Sequence, residues 1–167
     1  MSNENFTFET SDSITFTISK NVCRLFTTLE NLVIDCQNSG EPENKIPLPE
    51  ISSVVLQQCL DYAKLYTENH GVKQLTEEER QDKTKYLTVN EWEKEFLSKF
   101  NHTQLFDLIL AANYLDNKHL LECACKTAAK DMTTKTDEEI RQMWGVQNDF
   151  TPEEQLLYEE EKKWCLE

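Results

Sequence analysis

Cysteine and histidine, the residue types that most often carry catalysis or bind metal, are present in this sequence but are not spaced as a site. Cys123 and Cys125 stand two residues apart in a segment with helical spacing, where such side chains point about 200° apart. They cannot share one metal ion, and we interpret both as buried thiols. We expect His70, His102 and His119 to stand alone at the surface, without a ligand at helical spacing or a neighbouring nucleophile.

Other patterns with a chemical meaning are equally weak. The three glycines, Gly40, Gly71 and Gly145, are isolated, so no glycine-rich phosphate loop can form. Acidic runs such as "YEEEKK" are far more often solvated faces than acid/base pairs. We therefore predict a protein that is not an enzyme and has no catalytic residues, no cofactor and no metal ion.

Length and charge limit the function further. The chain has 167 residues, which suits one domain or one domain with an appendage. Its 17 basic and 31 acidic residues give a net charge of −14, which repels phosphate and anionic lipid, so we expect no nucleic-acid and no membrane partner. A secretory signal and an apolar run of about 20 residues are both missing. We expect a cytoplasmic and nuclear location, with all six cysteines reduced.

The elements that must position any site follow from periodicity. Alternation in "FTFETSDSITFTI" predicts a β-hairpin, and "SKNVCRLFTTLENLV" predicts one helix with Ser19 as its N-cap. "IPLP" predicts an edge strand, because each proline removes a donor from the ladder. "ISSVVLQQCLDYAKLY" predicts a helix, and residues 67–90 a mobile polar loop. Strands early and helices late indicate an α+β fold.

The segment "QLFDLILAANYLDNKHLL", residues 104–121, begins as a helix with two apolar faces. At about 100° per residue, one face is a core-facing stripe, made of Leu105, Leu108, Ile109, Ala112 and Leu115. The other face lies elsewhere on the helix, and consists of Phe106, Leu110, Asn113 and Tyr114. A monomer normally gives such a second face to polar residues, so it indicates an interface.

The C-terminal region contains two well-marked helix starts. Thr136 and Glu139 have capping-box spacing, and that helix is expected to end at Gly145. Thr151 and Pro152 begin the second. We expect helices of about two turns, which are marginal in water when isolated. Their apolar residues therefore need a surface, either a partner or the chain's own core.

Several blocks resemble the Skp family, the adaptor subunits of SCF-type ubiquitin ligases. They are "IPLPEISSVVLQQCLDYAK", "WEKEFL", "LFDLILAANYLDNKHLLECACKTAAKDM", "KTDEEIRQMWGVQNDFTPEEQ" and "KKWC", in the family's order. The resemblance covers residues 46–66 and 91–165, and the N-terminal part by pattern only. It implies a BTB/POZ domain at 1–131, containing the polar loop at 67–90, followed by a C-terminal helical extension at 132–167. The chain departs from the family's pattern at His119, where glycine is usual, which indicates a divergent paralogue.

The resemblance also implies two binding surfaces. One would bind the N-terminal domain of a cullin through Phe106, Leu110, Asn113 and Tyr114. The other would bind F-box proteins through Leu120, Leu121, Ala124, Ala128, Ile140, Met143, Trp144, Phe150, Leu157 and Trp164. Pro152 matches a proline that is modified in some organisms.

Two functions fit these expectations. The first is an SCF adaptor that joins a cullin scaffold to F-box substrate receptors for ubiquitin-dependent degradation. The second is a non-catalytic BTB-fold assembly protein that uses the same surfaces for self-association or for partners without an F-box. Exposed apolar patches favour a weak homodimer when partners are absent.

Overall fold

The N-terminal hairpin forms as its alternating residues predict. The structure is a computed structural model that describes residues 4–39, 45–70 and 89–166. Strand β1 (Asn5–Thr10) pairs antiparallel with β2 (Thr15–Ser19), placing Phe8 opposite Phe16. Asp12 in the turn accepts hydrogen bonds from the side chains of Thr10 and Ser53.

The proline-containing strand lies at an edge of the sheet, as predicted. Strand β3 (Ile46–Leu48) pairs parallel with β1, so the order is β2-β1-β3. Pro47 lies opposite Glu9 and can donate no ladder hydrogen bond, which an edge position tolerates. Phe8 and Leu48 are buried together with Ile18, so the sheet contributes one apolar face to the core.

The prediction of one helix after the hairpin is wrong, because the segment forms two. Helix α1 (Lys20–Cys23) ends in a tight turn in which Phe26 N donates to Cys23 O over 3.0 Å. Helix α2 (Thr27–Ser39) then follows as a separate helix. Its first turn is held from elsewhere, since Thr28 Oγ1 donates to Tyr114 O over 2.8 Å. These tertiary bonds outweigh the local helical periodicity.

Helix α3 (Ser53–His70) is longer than predicted, so residues 67–70 are helical instead of loop. Thr67 Oγ1 donates to Ala63 O over 2.7 Å, and the ring of His70 stacks on Tyr66 with centroids 4.5 Å apart. These contacts stabilise the polar last turn of α3. The rest of the predicted loop, residues 71–88, lies outside the described residues.

Three further helices complete the first compact unit, which extends to Lys130. They are α4 (Glu91–Leu97), α5 (His102–Tyr114) and α6 (Lys118–Thr133). The α5 stripe is buried at Leu105, Leu108, Ala112 and Leu115, whereas Ile109 is half-buried. Each such burial contributes about 1.5–3 kcal/mol. Sheet and helices share this core, which confirms the α+β class.

The second compact unit, Asp131–Glu167, contains α7 (Asp137–Trp144) and α8 (Pro152–Leu166). The predicted caps are present, since Glu139 N donates to Thr136 Oγ1 and Thr136 N to Glu139 Oε2. Gly145 ends α7 at φ 64°, a left-handed conformation that glycine adopts without strain. Helix α8 has 15 residues and is therefore longer than the two turns expected. Among the described residues no helix could span a bilayer.

Candidate functional site

The second face of α5 is formed by four residues that we call the α5 face: Phe106, Leu110, Asn113 and Tyr114. Leu110 is 68% exposed, and Asn113 is also exposed. Phe106 and Tyr114 are half-buried, so their inner edges pack on the domain while their outer edges reach solvent. An exposed leucine between two aromatic residues is typical of a binding surface.

The end of the α5 face is anchored to α2. Thr28 Oγ1 donates to the carbonyl of Tyr114, and Thr28 N donates to the carbonyl of Leu115 over 3.2 Å. Burial, with a smaller effect from the charge of Glu50, raises the pKa of the Tyr114 phenol. The two hydrogen bonds therefore fix the backbone at the end of the α5 face.

The structure separates the ten residues predicted for the F-box surface into two groups. Leu120, Ala124 and Ala128 are buried in α6 and belong to the core, and Leu121 is half-buried. The other six lie in the second unit. Ile140 and Met143 are half-buried, and Trp144, Phe150, Leu157 and Trp164 are exposed, with Trp164 reaching 80%.

Sequence reasoning missed how the second unit packs on itself. Asp137 at the start of α7 accepts a hydrogen bond from Tyr158 and forms an ion pair with Lys162, and both partners lie on α8. Lys162 and then Tyr158 lower the pKa of the Asp137 carboxyl. The rings of Phe150 and Tyr158 stack with their centroids 5.8 Å apart, and the guanidinium carbon of Arg141 lies 5.5 Å from the centroid of the Phe150 ring. Phe150 therefore supports the unit as well as facing solvent.

Several large apolar side chains of the second unit remain exposed although α7 and α8 contact each other. Besides the predicted residues, Val146 and Leu156 are exposed. The signal that could have identified Leu156 is its place beside Leu157 in an otherwise acidic helix.

The expectation that His119 stands alone at the surface is wrong. It joins what we call the polar cluster: Tyr62, Glu93, His119 and Cys123. His119 Nδ1 lies 3.2 Å from Glu93 Oε1, 2.5 Å from the Tyr62 hydroxyl and 3.9 Å from Cys123 Sγ. His119 and Cys123 are four residues apart on α6, a spacing that places both on one face of the helix and that the sequence already contains.

Burial decides the protonation of the polar cluster. Glu93 is fully buried, and its carboxylate accepts hydrogen bonds from Tyr62 and from the backbone N–H of Asn90. Burial lowers the pKa of His119, against the opposing charge of Glu93, and raises the pKa of the Cys123 thiol. At neutral pH the imidazole and the thiol are therefore uncharged.

The two neighbouring cysteines differ, so the interpretation of both as buried is wrong. Cys123 is 1% exposed, whereas Cys125 faces solvent. Their opposite directions agree with helical geometry. His70 is exposed at the end of α3, and His102 is half-buried at the start of α5.

Comparison with known proteins gives consistent matches along the chain. Residues 4–68 match the tetramerisation domain of the Skp1 family, and residues 118–165 match its dimerisation domain. The SCF ubiquitin ligase complex protein SKP1a of Dictyostelium discoideum is 37% identical over 157 residues, which cover 94% of this chain and 93% of that protein. The E3 ubiquitin ligase complex SCF subunit sconC of Talaromyces stipitatus is 35% identical over 159 residues, 95% of each chain. The sconC protein of Arthroderma benhamiae is 36% identical over 163 residues, covering 96% and 94%.

Proposed function

The chain belongs to the Skp1 family, and from this premise we propose that it is the adaptor subunit of an SCF-type ubiquitin ligase. One observation carries the proposal: each of the two compact units exposes its own apolar surface, the α5 face in the first and the α7–α8 residues in the second. An adaptor needs two such surfaces because it holds two partners at once. It performs no catalysis itself.

The α5 face binds the N-terminal domain of a cullin. Leu110 supplies the exposed apolar anchor, and Tyr114 supplies a half-buried aromatic ring next to a backbone carbonyl that Thr28 holds. A half-buried ring has already lost part of its conformational freedom, so it loses less on binding. Asn113, exposed beside them, offers an amide for hydrogen bonds at the rim of the contact.

The second unit binds the F-box of a substrate receptor. Its candidate anchors, Trp144, Leu157 and Trp164, are exposed on helices that pair through Asp137 and Tyr158. Large aromatic side chains are the residues most often found to dominate interface energies. Leu120, Ala124 and Ala128 are not among these anchors, because they are buried in the core of the first unit.

The adaptor acts by proximity. Holding a receptor on the scaffold converts the meeting of substrate and ubiquitin-charged enzyme into an intramolecular event, which raises their effective concentration.

The proposal includes a cytoplasmic and nuclear location and a weak homodimer when partners are absent. Pro152, exposed at the first position of α8, is a proposed modification site.

The exposed apolar residues also favour a second candidate, an assembly protein that uses the same surfaces to bind itself or helices that are not F-boxes. Partner identity separates the two candidates. Affinity purification from native cells followed by mass spectrometry should recover a cullin and several F-box proteins with the adaptor.

A reconstitution tests the adaptor directly. The purified chain is mixed with a cullin N-terminal fragment and an F-box fragment, and the mixture is analysed by size-exclusion chromatography with light scattering. We expect a complex of the three proteins, and no complex of cullin fragment and F-box fragment without the chain. Mutually exclusive binding of the two fragments would contradict the bridging function.

A further inference from the structure

We propose that Glu93, His119 and Cys123 form a binding site for Zn²⁺ inside the first unit. One potential ligand atom from each residue, a carboxylate oxygen, an imidazole nitrogen and a thiol sulfur, lies within 4.8 Å of the others. The site is independent of the partner surfaces proposed above, because Glu93 is fully buried and Cys123 is 1% exposed.

The helices already place the three ligands in suitable positions. His119 and Cys123 project from one face of α6, one turn apart, and Glu93 approaches from α4. Zinc bonds of about 2.0–2.3 Å in a tetrahedron put neighbouring ligand atoms roughly 3.3–3.8 Å apart. The distances from His119 Nδ1 to Glu93 Oε1, 3.2 Å, and to Cys123 Sγ, 3.9 Å, are close to this range. Small side-chain rotations complete the site.

The donor set fits zinc in charge as well as in geometry. A thiolate and a carboxylate together balance the two positive charges of the ion, which a buried site requires. Nitrogen, oxygen and sulfur ligands together are typical of zinc and exclude magnesium and calcium, which prefer oxygen. The fourth position falls to water, while the Tyr62 hydroxyl stays outside the metal shell as a hydrogen-bond partner of Glu93.

Proton balance on binding follows from the free state. Neutral His119 binds through Nδ1 and carries its hydrogen on Nε2, while Cys123 releases its thiol proton to solvent. The Glu93 carboxylate keeps the hydrogen bond from the Asn90 N–H, 2.8 Å from Oε2. One proton is released for each ion, so affinity should fall as pH is lowered.

Aromatic rings pack around the site. The Tyr66 ring lies 5.2 Å from the ring of His119, and the Trp92 ring lies 5.5 Å from that of Tyr62. His70, Glu122 and Lys126 are the other titratable groups that act on His119. The Tyr62 hydroxyl orients Glu93 from 3.0 Å, the kind of outer contact that strengthens metal ligands.

Cobalt titration of the full-length, reduced and chelator-treated protein tests the proposal. We expect one Co²⁺ per chain, with a tetrahedral absorption spectrum and a thiolate-to-cobalt charge-transfer band. Cys123→Ser and His119→Gln should each weaken binding by more than about 100-fold, since even outer-shell changes cost about 10–100-fold. Cys125→Ser is the matched control, because Cys125 lies on the same helix in solvent, and it should leave affinity within about twofold.

X-ray absorption on the zinc-loaded wild-type protein avoids dependence on any variant that fails to fold. We expect one sulfur and two or three nitrogen or oxygen ligands at bonding distance. Absence of stoichiometric binding by the wild-type protein would overturn the site. So would binding that survives both ligand substitutions, or a zinc shell of several sulfurs, because each would place the ion elsewhere.

Discussion

The hydroxyl of Tyr158 donates a hydrogen bond to Oδ2 of Asp137 over 3.0 Å, joining α8 to the first residue of α7. Lys162 pairs with the same carboxylate from the next turn of α8. Isolated helices as short as α7 are marginal in water, so this contact matters more than its exposed position suggests. The second unit therefore has some order of its own before any partner binds.

We expect Tyr158→Phe to loosen α7, because it removes the hydrogen bond to Asp137 while retaining the ring that stacks on Phe150. Backbone amides of residues 137–144 should exchange a few-fold faster, whereas those of α3 should be unchanged. Hydrogen exchange followed by mass spectrometry measures both. Tyr114→Phe is the control, and unchanged protection of α7 in Tyr158→Phe would mean that the hydrogen bond contributes nothing.

The same contact predicts a pH dependence. The folded-state pKa of Asp137 lies below its ordinary value of 3.8, chiefly because of Lys162. The stabilisation is therefore present above that value and is lost as pH falls through the lower, folded pKa. We expect α7 protection to be constant from about pH 7 to pH 5 and to fall below about pH 4. Asp137→Asn should remove this step, and persistence of the step in that variant would assign it to another carboxylate.

The ends of a helix could be predicted from the sequence where neighbouring residues determine them. The caps at Thr136 and Gly145 depend on residues within one turn, and the sequence displays them. The break between α1 and α2 depends on Thr28 and Tyr114, which are 86 residues apart. The spacing of apolar residues along the segment does not reveal such a long-range contact, so the sequence predicted one continuous helix.

We expect a double change on the α5 face, Leu110→Lys with Asn113→Lys, to abolish cullin binding while F-box binding persists. Both side chains are exposed, so the substitutions leave the core intact. The two added positive charges would be buried on docking, which opposes cullin binding. Tyr114 is left in place because it is half-buried. Ile34→Lys, an exposed apolar residue on α2, is the matched control. Normal cullin binding by the folded double variant in a pull-down would refute the assignment of the α5 face.

We expect Leu157→Ala with Trp164→Ala to weaken F-box binding more than tenfold, since a buried anchor contributes at least about 2 kcal/mol. Cullin binding should be unaffected. These substitutions are more informative than deleting residues 151–167, which would also remove Tyr158 and Lys162 from Asp137. Leu156→Ala, 62% exposed next to Leu157, is the control. Titration calorimetry against both fragments measures the difference, and equal losses for the two partners would indicate a role in folding.

Only one part of the polar cluster could be predicted from the sequence. Its α6 part is visible in the sequence, because His119 and Cys123 are four residues apart and so lie on one face of a helix. Its other part was not visible, because Glu93 lies 26 residues before His119 in an acidic, amphipathic helix. Glutamate is almost never fully buried unless it is paired, so the sequence pattern alone does not mark Glu93 as a core residue.

Glu93 provides the last prediction, that one buried carboxylate stabilises three helices of the first unit. In metal-free protein, Glu93→Ala leaves the Asn90 N–H without its acceptor, takes one of two partners from the Tyr62 hydroxyl and removes the reciprocal cap of α4. We expect a loss of about 3 kcal/mol or more in the free energy of unfolding. Glu93→Gln keeps an acceptor oxygen and should lose about 1 kcal/mol.

Chemical denaturation of the chelator-treated protein, followed by circular dichroism, measures these losses without any contribution from bound metal. Glu95→Ala is the matched control, because Glu95 lies on the same helix in solvent and should change stability by less than about 0.5 kcal/mol. If Glu93→Ala proved as stable as Glu95→Ala, the buried carboxylate would contribute no net stability. Its hydrogen bonds would then merely offset the cost of removing it from water.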